Sequence, residues 1–224
     1  MMPAEVYGEL YRLAREGPDL DVLEIGGAAG AGAIALALGL IEANKRSGVV
    51  VVEKLAGGSR ARFGDYQANL SIIERNFRAF GVVSRVRLFP RNLTWANAGE
   101  VKALLRTPQI GALVIDADGN IHRDLTLFGP MLAPGAAVVI DDYRDDPGQF
   151  DPLSGARVRG GPKLVQVFRL VNHLVEAGVL RVKQQVRSTV FCELTDLRRL
   201  DRADCELVIE QTKRDLDALF MGAA

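Results

Sequence analysis

Short apolar runs alternate with helix-length segments along the first 140 residues, and this alternation is the strongest constraint on the fold. Five runs are rich in β-branched residues and bounded by turn residues, as buried strands are; they lie at residues 22–25, 49–52, 86–89, 112–115 and 137–140. Helical segments lie between them at residues 31–43, 69–80, 97–105 and 123–132. Strand alternating with helix predicts right-handed crossovers, and therefore a parallel sheet with helices on both faces.

Both ends of the chain depart from this alternation. Residues 1–18 contain a short helix at 4–16, and a polar loop rich in Gly and Pro occupies residues 143–162. After the loop come a helix at 163–176, strands at 180–186 and 189–194 joined by a tight turn, and a last helix at 202–220. We therefore expect an α/β, doubly wound (Rossmann-like), mostly parallel seven-stranded sheet with a C-terminal antiparallel hairpin, in a single domain spanning residues 1–224.

Charge and composition restrict the partners. The 28 basic and 28 acidic residues cancel, so no overall field draws the protein to nucleic acid or to an anionic membrane surface. Cys192 and Cys205 lack metal-ligand spacing and are interpreted as structural, in a reducing compartment. No apolar run approaches the length of a membrane span, and we expect a cytoplasmic location.

A turn of small residues follows the first strand. Glu24 stands inside that strand, and Gly26, Gly27, Ala28 and Gly30 lead into an alanine-rich helix. Small residues here let the backbone approach a ligand at the carboxyl end of the sheet, where open α/β sheets bind ligands. At the end of the second strand, Glu53 can accept hydrogen bonds from ribose hydroxyls. These residues predict a nucleotide-like cofactor; a nicotinamide cofactor stays open at this point.

Three more carboxylates follow later strands. Asp116 ends the fourth strand, and Asp141 and Asp142 end the fifth. Neighbouring parallel strands end at the same edge of a sheet, so we expect these carboxylates to converge, and to need protons or a cation to offset their repulsion. Hard oxygen ligands suit Mg²⁺, Mn²⁺ or Ca²⁺.

The turn from Glu24 to Gly30 resembles the E/D-x-G-x-G-x-G motif of class I S-adenosylmethionine-dependent methyltransferases, with Ala28 in place of the middle glycine. The resemblance implies that Glu24 faces the methionine end of S-adenosyl-L-methionine and that Glu53 binds its ribose. The loop at Asn92 would lie near the adenine. Asp116 would contact the cofactor, the metal or both.

The segments around Asp116 and around L-x-P-G-A-x-V-V-I-D-D-Y resemble metal-assisted small-molecule O-methyltransferases, chiefly those of sugars and natural products and more distantly those of catechols, over roughly residues 20–195. The resemblance implies that Asp116, Asp141 and Asp142 hold one divalent ion. The family's base, a histidine or lysine three residues after the first metal acid, is replaced here by Gly119. His122 or Asp118 takes the base role, or the metal suffices, or the metal chemistry has been lost.

The expected substrate is a hydroxylated small molecule, with neither nucleic acid nor membrane as partner. In the loop at 143–162, which we interpret as a lid or recognition element, five side chains are candidate substrate contacts: Tyr143, Arg144, Phe150, Arg157 and Arg159. The last helix could pack on a second copy in a homo-oligomer as easily as on its own sheet, because it carries Leu207, Leu216, Leu219, Phe220 and Met221. Two rival functions are an aminopropyl transferase, suggested by Gly26-Gly27, and a non-catalytic cofactor-binding scaffold or partner subunit, suggested by Gly119.

Overall fold

A computed structural model describes residues 2–56, 64–150, 157–159 and 161–221. Its nine strands are β1 Asp21–Ile25, β2 Val49–Val52, β3 Val86–Phe89, β4 Ile110–Ile115, β5 Leu132–Ile140, β6 Gln149–Phe150, β7 Arg157–Arg159, β8 Leu180–Val186 and β9 Thr189–Leu194. Its seven helices are α1 Ala4–Glu16, α2 Ala31–Glu42, α3 Tyr66–Ala79, α4 Ala98–Ala103, α5 Ile121–Phe128, α6 Pro162–Glu176 and α7 Arg202–Met221. No helix in these ranges is both long and apolar enough to span a membrane.

Seven strands form one mixed sheet in the order β3-β2-β1-β4-β5-β9-β8. The pairs β1–β2, β1–β4 and β2–β3 are parallel, and β8 and β9 form the antiparallel hairpin. This order confirms the predicted Rossmann-like, mostly parallel seven-stranded sheet. In its register Glu24 lies beside Val51 on one side and Val114 on the other, near the carboxyl ends of these parallel strands.

Two differences from the predicted elements have local causes. The helix predicted at 123–132 instead spans Ile121–Phe128, because Gly129-Pro130 closes it in a short 3-10 turn and β5 begins at Leu132. The loop predicted at 143–162 contains the two-residue β6 and the three-residue β7, which pair antiparallel and were not predicted.

The described chain divides into two compact units. The first contains Met1–Ala117 and Met131–Val139. Its central strands β1, β2 and β4 are buried along their whole length, as strands covered on both faces are. On one face α1 packs closely against α2 at Gly39, where an added Cβ would lie 2.3 Å from the carbonyl oxygen of Tyr11.

The second unit contains Asp118–Pro130 and Ile140–Ala224. Within it α6 packs against α7 and β8, and α5 contacts both α6 and α7. On α7, Leu216 is buried whereas Leu207 and Leu219 are exposed. Burial raises the pKa of the Cys192 and Cys205 thiols to about 12 and about 11, which agrees with their interpretation as structural residues.

Candidate active site

The turn after β1 requires small residues at defined positions. Gly26 and Gly30 have φ values of +99° and +90°, which favour glycine. A Cβ on Gly26 would also lie 2.0 Å from the carbonyl oxygen of Asp116, in the chain that leaves β4. Ala28, which stands where the motif has its middle glycine, has a φ of +49°. The substitution therefore keeps the left-handed backbone of a glycine at the cost of local strain.

Glu24 is buried beneath this turn. It is 1% exposed, and its Oε2 atom has no hydrogen-bond partner among the described residues. Gly32 leaves room for the carboxylate, because a Cβ there would lie 1.9 Å from Oε1 of Glu24. Burial, followed by the negative charges of Asp116 and Glu53, raises the pKa of Glu24 to about 8. The turn thus holds a buried acid with one oxygen unpaired, which a cationic group would bind strongly.

Glu53, directly after β2, holds the glycine-rich turn after β1 by a hydrogen bond. Its side chain is buried, and Oε2 accepts a hydrogen bond of 2.7 Å from the backbone N–H of Ala28. Its other oxygen accepts a weaker bond of 3.4 Å from the backbone N–H of Leu55. The acid predicted to bind ribose therefore lies against the glycine-rich turn.

Two residues of α3 also contact this turn, and the sequence pattern does not indicate either contact. Asn76 donates a hydrogen bond of 2.9 Å from its side-chain amide to the carbonyl of Ala29. The ring of Phe77 packs over Gly30, where an added Cβ would lie 2.6 Å from the nearest ring atom. Helical spacing marks Phe77 as a core residue, but it does not indicate which turn the ring covers.

Asp116 and Asn92 follow β4 and β3. Asp116 is half-buried, its N–H donates to the carbonyl of Ile25 at 2.8 Å, and its charge acts on Glu24. Asn92 is exposed, and its backbone carbonyl accepts a hydrogen bond of 2.9 Å from the side chain of Asn97. The structure therefore brings Asp116 to Glu24, whereas the contacts of Asn92 are with its own loop.

In the second unit, Asp141 is held by the turn of the β8–β9 hairpin. The Thr189 hydroxyl donates to its Oδ1 atom at 2.5 Å, and the Ser188 hydroxyl lies 3.4 Å from the same oxygen. The Tyr143 N–H donates to the carbonyl of Ser188 at 2.8 Å. Asp141 is 6% exposed and Thr189 is fully buried. This carboxylate is therefore fixed in direction.

Asp142 forms an ion pair with a lysine that the sequence pattern does not mark as a site residue. The ammonium group of Lys163, in the first turn of α6, lies 2.5 Å from Oδ2 of Asp142. The same turn packs on Gly119: an added Cβ there would lie 3.1 Å from Nε2 of Gln166 and 3.7 Å from Cγ of Lys163. Gly119 also has a φ of +81°. Both the backbone and the crowding at Gly119 therefore favour glycine at the position where the resemblance implies a base.

Asp118 is bound by an arginine. Arg123 donates to both of its carboxylate oxygens, at 2.9 and 3.2 Å, and also to Oδ1 of the buried Asp124 at 2.8 Å. Burial acts to raise the pKa of Asp118, but the hydrogen bonds and charge of Arg123 outweigh it, so this pKa lies below its usual range. A carboxylate with a lowered pKa is a weak proton acceptor.

His122 lies at the start of α5 and is 5% exposed. Its Nδ1 atom has no hydrogen-bond partner in the described ranges. Burial lowers the pKa of His122, against an opposing effect of Glu206 on α7. Burial therefore favours the neutral form of the ring, and the charges acting on it come from α5, α7 and the turn before α5.

Of the predicted substrate contacts, Tyr143 and Arg144 fall on described side chains. The Tyr143 hydroxyl donates to Oδ1 of Asn172 on α6 at 2.9 Å, and its ring lies 4.9 Å from that of Phe168. Arg144 is exposed, 3.9 Å from Asp146. The side chains of Phe150, Arg157 and Arg159 lie outside the described residues, as do residues 151–156 and 160.

Comparison with known proteins identifies the fold. No protein-family model matches the chain, and no curated protein matches it. An O-methyltransferase from Bacillus cereus in complex with SAH (S-adenosylhomocysteine) is similar, with a TM-score of 0.61 and 17% identity over 88% of this chain and 83% of that one. The O-methyltransferase TomG from Streptomyces achromogenes, in complex with SAM, gives a TM-score of 0.60 and 19% identity over 88% and 82%. The SAH-bound methyltransferase PaMTH1 from Podospora anserina gives 0.61 and 15% over 88% and 80%.

These identities support the fold alone. The chain has the Rossmann-like fold of class I S-adenosylmethionine-dependent methyltransferases.

Proposed function

We propose that this chain is an S-adenosylmethionine-dependent methyltransferase that acts on a hydroxyl group of a small molecule. The observation that carries the proposal is the pair of buried carboxylates, Glu24 and Glu53, on either side of a strained glycine-rich turn. The turn belongs to a fold shared with O-methyltransferases that bind SAM or SAH.

The residues around the turn fit this cofactor. The unpaired Oε2 of Glu24 offers a buried carboxyl group whose ionised form the positively charged methionine end would favour. Glu53 offers a carboxylate for the ribose hydroxyls, and Asn76 holds the turn in place from α3. The cofactor supplies a methyl group on a positively charged sulfur, and these residues bind and orient it.

Calorimetry tests cofactor binding directly. Glu53→Ala should weaken binding of S-adenosylmethionine by roughly 2 kcal/mol, because charge-assisted hydrogen bonds are lost. Glu42→Ala, which removes an exposed carboxylate at the far end of α2, is the matched control and should bind as the native chain does. Binding of NADH with no response to S-adenosylmethionine would refute the proposal.

We also propose that a divalent cation, Mg²⁺ or a related ion, assists the reaction. Asp116 follows β4, and Asp141 and Asp142 follow β5, the neighbour of β4 in the sheet order. Carboxylate oxygens are the donors that such ions prefer. A cation held there would lower the pKa of an acceptor hydroxyl. Asp141 is already oriented for this task by Thr189.

Release of S-adenosylhomocysteine across a panel of hydroxylated small molecules, with and without a chelator, tests the reaction and the cation together. Turnover that stops on chelation and returns with Mg²⁺ is the expected result. Full turnover in excess chelator would show that the aspartates have another task. Asp141→Asn should lower metal affinity while leaving cofactor affinity nearly unchanged.

Proton removal from the acceptor is proposed to depend on the cation rather than on a side-chain base. The carboxylate of Asp118 is paired with Arg123. His122 is buried and lies within the electrostatic influence of charged groups on α7, and a side chain at Gly119 is disfavoured. Neither predicted base is thus well suited to accept the proton.

A cofactor-binding subunit without catalysis is the second candidate, and the glycine at position 119 favours it. It predicts cofactor binding with no release of S-adenosylhomocysteine on any substrate of the panel.

A further inference from the structure

Lys163 is placed where a helix does not favour a cation. It is the second residue of α6, after Pro162, and no acidic residue lies in the first turn of that helix. The N-terminus of a helix carries partial positive charge, so a lysine there is disfavoured unless an anion compensates it. The anion that compensates it is Asp142, whose Oδ2 atom lies 2.5 Å from Nζ.

The backbone at Asp142 adopts a conformation that is uncommon for residues other than glycine, although aspartate tolerates it better than most. Its φ is +64°, in the left-handed region. Asp141, immediately before it, is fixed by Thr189, and the Tyr143 N–H immediately after it is bound to Ser188. With both neighbours fixed, the Asp142 carboxylate is directed towards the first turn of α6, and Lys163 meets it there.

We propose that Lys163 is the resident cation of Asp142, and that a divalent ion gains Asp142 as a ligand only by displacing the lysine ammonium group. The proposal rests on the proposed function, because it concerns the cation assigned there. Lys163 thus sets the affinity of the site for divalent ions. The ammonium neutralises one carboxylate when no ion is bound, and its displacement lowers the net gain from binding an ion.

The pair is well suited to this exchange because it is accessible. The side chains of Lys163 and Asp142 are 34% and 28% exposed, so water can solvate the ammonium when it leaves. An ion pair at such a position is weak compared with the bonds that carboxylates make to a divalent ion. Lysine can therefore hold the carboxylate without preventing the ion from binding.

Titration of Mn²⁺, followed by electron paramagnetic resonance of the free ion, tests the proposal without any turnover. Lys163→Met should bind Mn²⁺ about tenfold more tightly than the native chain, the size expected for removing one competing charge at a partly exposed pair. Lys163→Arg keeps the charge and should stay near the native affinity. The matched control is Lys183→Met, which removes a lysine that pairs with Glu193 at 2.9 Å, and it should change nothing.

The direction of the change separates this role from a structural one. If Lys163 merely supported the local fold, its loss would weaken Mn²⁺ binding, and weaker or unchanged binding in Lys163→Met overturns the proposal. Failure of both the native chain and Lys163→Met to bind Mn²⁺ also overturns it. Binding of S-adenosylmethionine, measured on the same samples, tests the proposed function independently, so the two failures are distinguishable.

Discussion

The protonation state of Glu24 should control cofactor affinity. With a pKa of about 8, roughly 1% of the side chain is ionised at pH 6 and about half at pH 8. If the cationic methionine end of the cofactor selects the ionised form, the apparent Kd is divided by the ionised fraction. The Kd for S-adenosylmethionine should then fall by up to about 50-fold from pH 6 to pH 8.

Calorimetric titration at pH 6, 7 and 8 measures this change, and Glu24→Gln is the variant to compare. Glutamine resembles the protonated acid, so the variant should bind more weakly at pH 8 and lose the steep rise. The cofactor's own amino group titrates near pH 8 in the opposite sense, and the variant reports that contribution alone. Repeating the pH 7 titration in two buffers counts the proton that Glu24 releases. The same pH dependence in both proteins would refute the reasoning.

The raised pKa of Glu24 should also make the stability of the unliganded protein depend on pH. The folded-state pKa of Glu24 is about 8 against an ordinary value of 4.5, so the folded chain keeps a proton that the unfolded chain has lost. The free energy of unfolding should therefore fall as the pH rises from about 4.5 to 8, by on the order of 1 kcal/mol per pH unit. Asp124, with a pKa raised by burial to about 7, acts in the same direction. Urea unfolding of Glu24→Gln should show a smaller loss than the native chain.

Three further changes test the site. Gly26→Ala should abolish the fold or cofactor binding, because its Cβ would lie 2.0 Å from a backbone oxygen. Gly30→Ala should still bind the cofactor measurably, because its Cβ would lie 2.6 Å from a ring atom that can move. Circular dichroism and calorimetry measure the fold and the binding, and equal retention of both in the two variants would contradict this order. Thr189→Val should cost about 1–3 kcal/mol in urea unfolding, since the buried Asp141 loses a hydrogen bond, and Thr189→Ser should restore most of it. His122→Ala should leave kcat within about twofold; a hundredfold loss, with metal and cofactor affinities unchanged, would identify it as the base.

The sheet could be predicted because the signals for it are local. Each parallel strand is a short β-branched run between turn residues, and β1, β2 and β4 are buried along their whole length as such runs require. The end of α5 was wrong by several residues, although Gly129-Pro130 marks it in the sequence. The short strands β6 and β7 carry no comparable signal, since the loop that contains them lacks a periodic apolar pattern.

The candidate site could be predicted only as far as the strand ends determine it. Glu24 and Glu53 follow from their places at neighbouring strand ends, and the structure brings both to the glycine-rich turn. The hydrogen-bond partners of the acids could not be predicted in this way, because they come from distant parts of the chain. Thr189 lies 48 residues beyond Asp141, and only packing brings its hydroxyl there.

The glycine at position 119 and the lysine at position 163 are consequences of one packing arrangement. The first turn of α6 lies directly on Gly119, and the side-chain amide of Gln166 donates to its carbonyl at 3.2 Å. The left-handed backbone and this contact disfavour a side chain at position 119, where the resemblance to metal-assisted O-methyltransferases implies a base. The same turn of α6 carries Lys163, which pairs with Asp142. A Cβ at position 119 would lie 3.1 Å from Nε2 of Gln166, so a histidine or lysine introduced there would have to shift that side chain as well as adopt a left-handed backbone. Because its backbone conformation and its contact with α6 both favour glycine at position 119, Gly119 is compatible with either candidate function, and the turnover assay has to separate them.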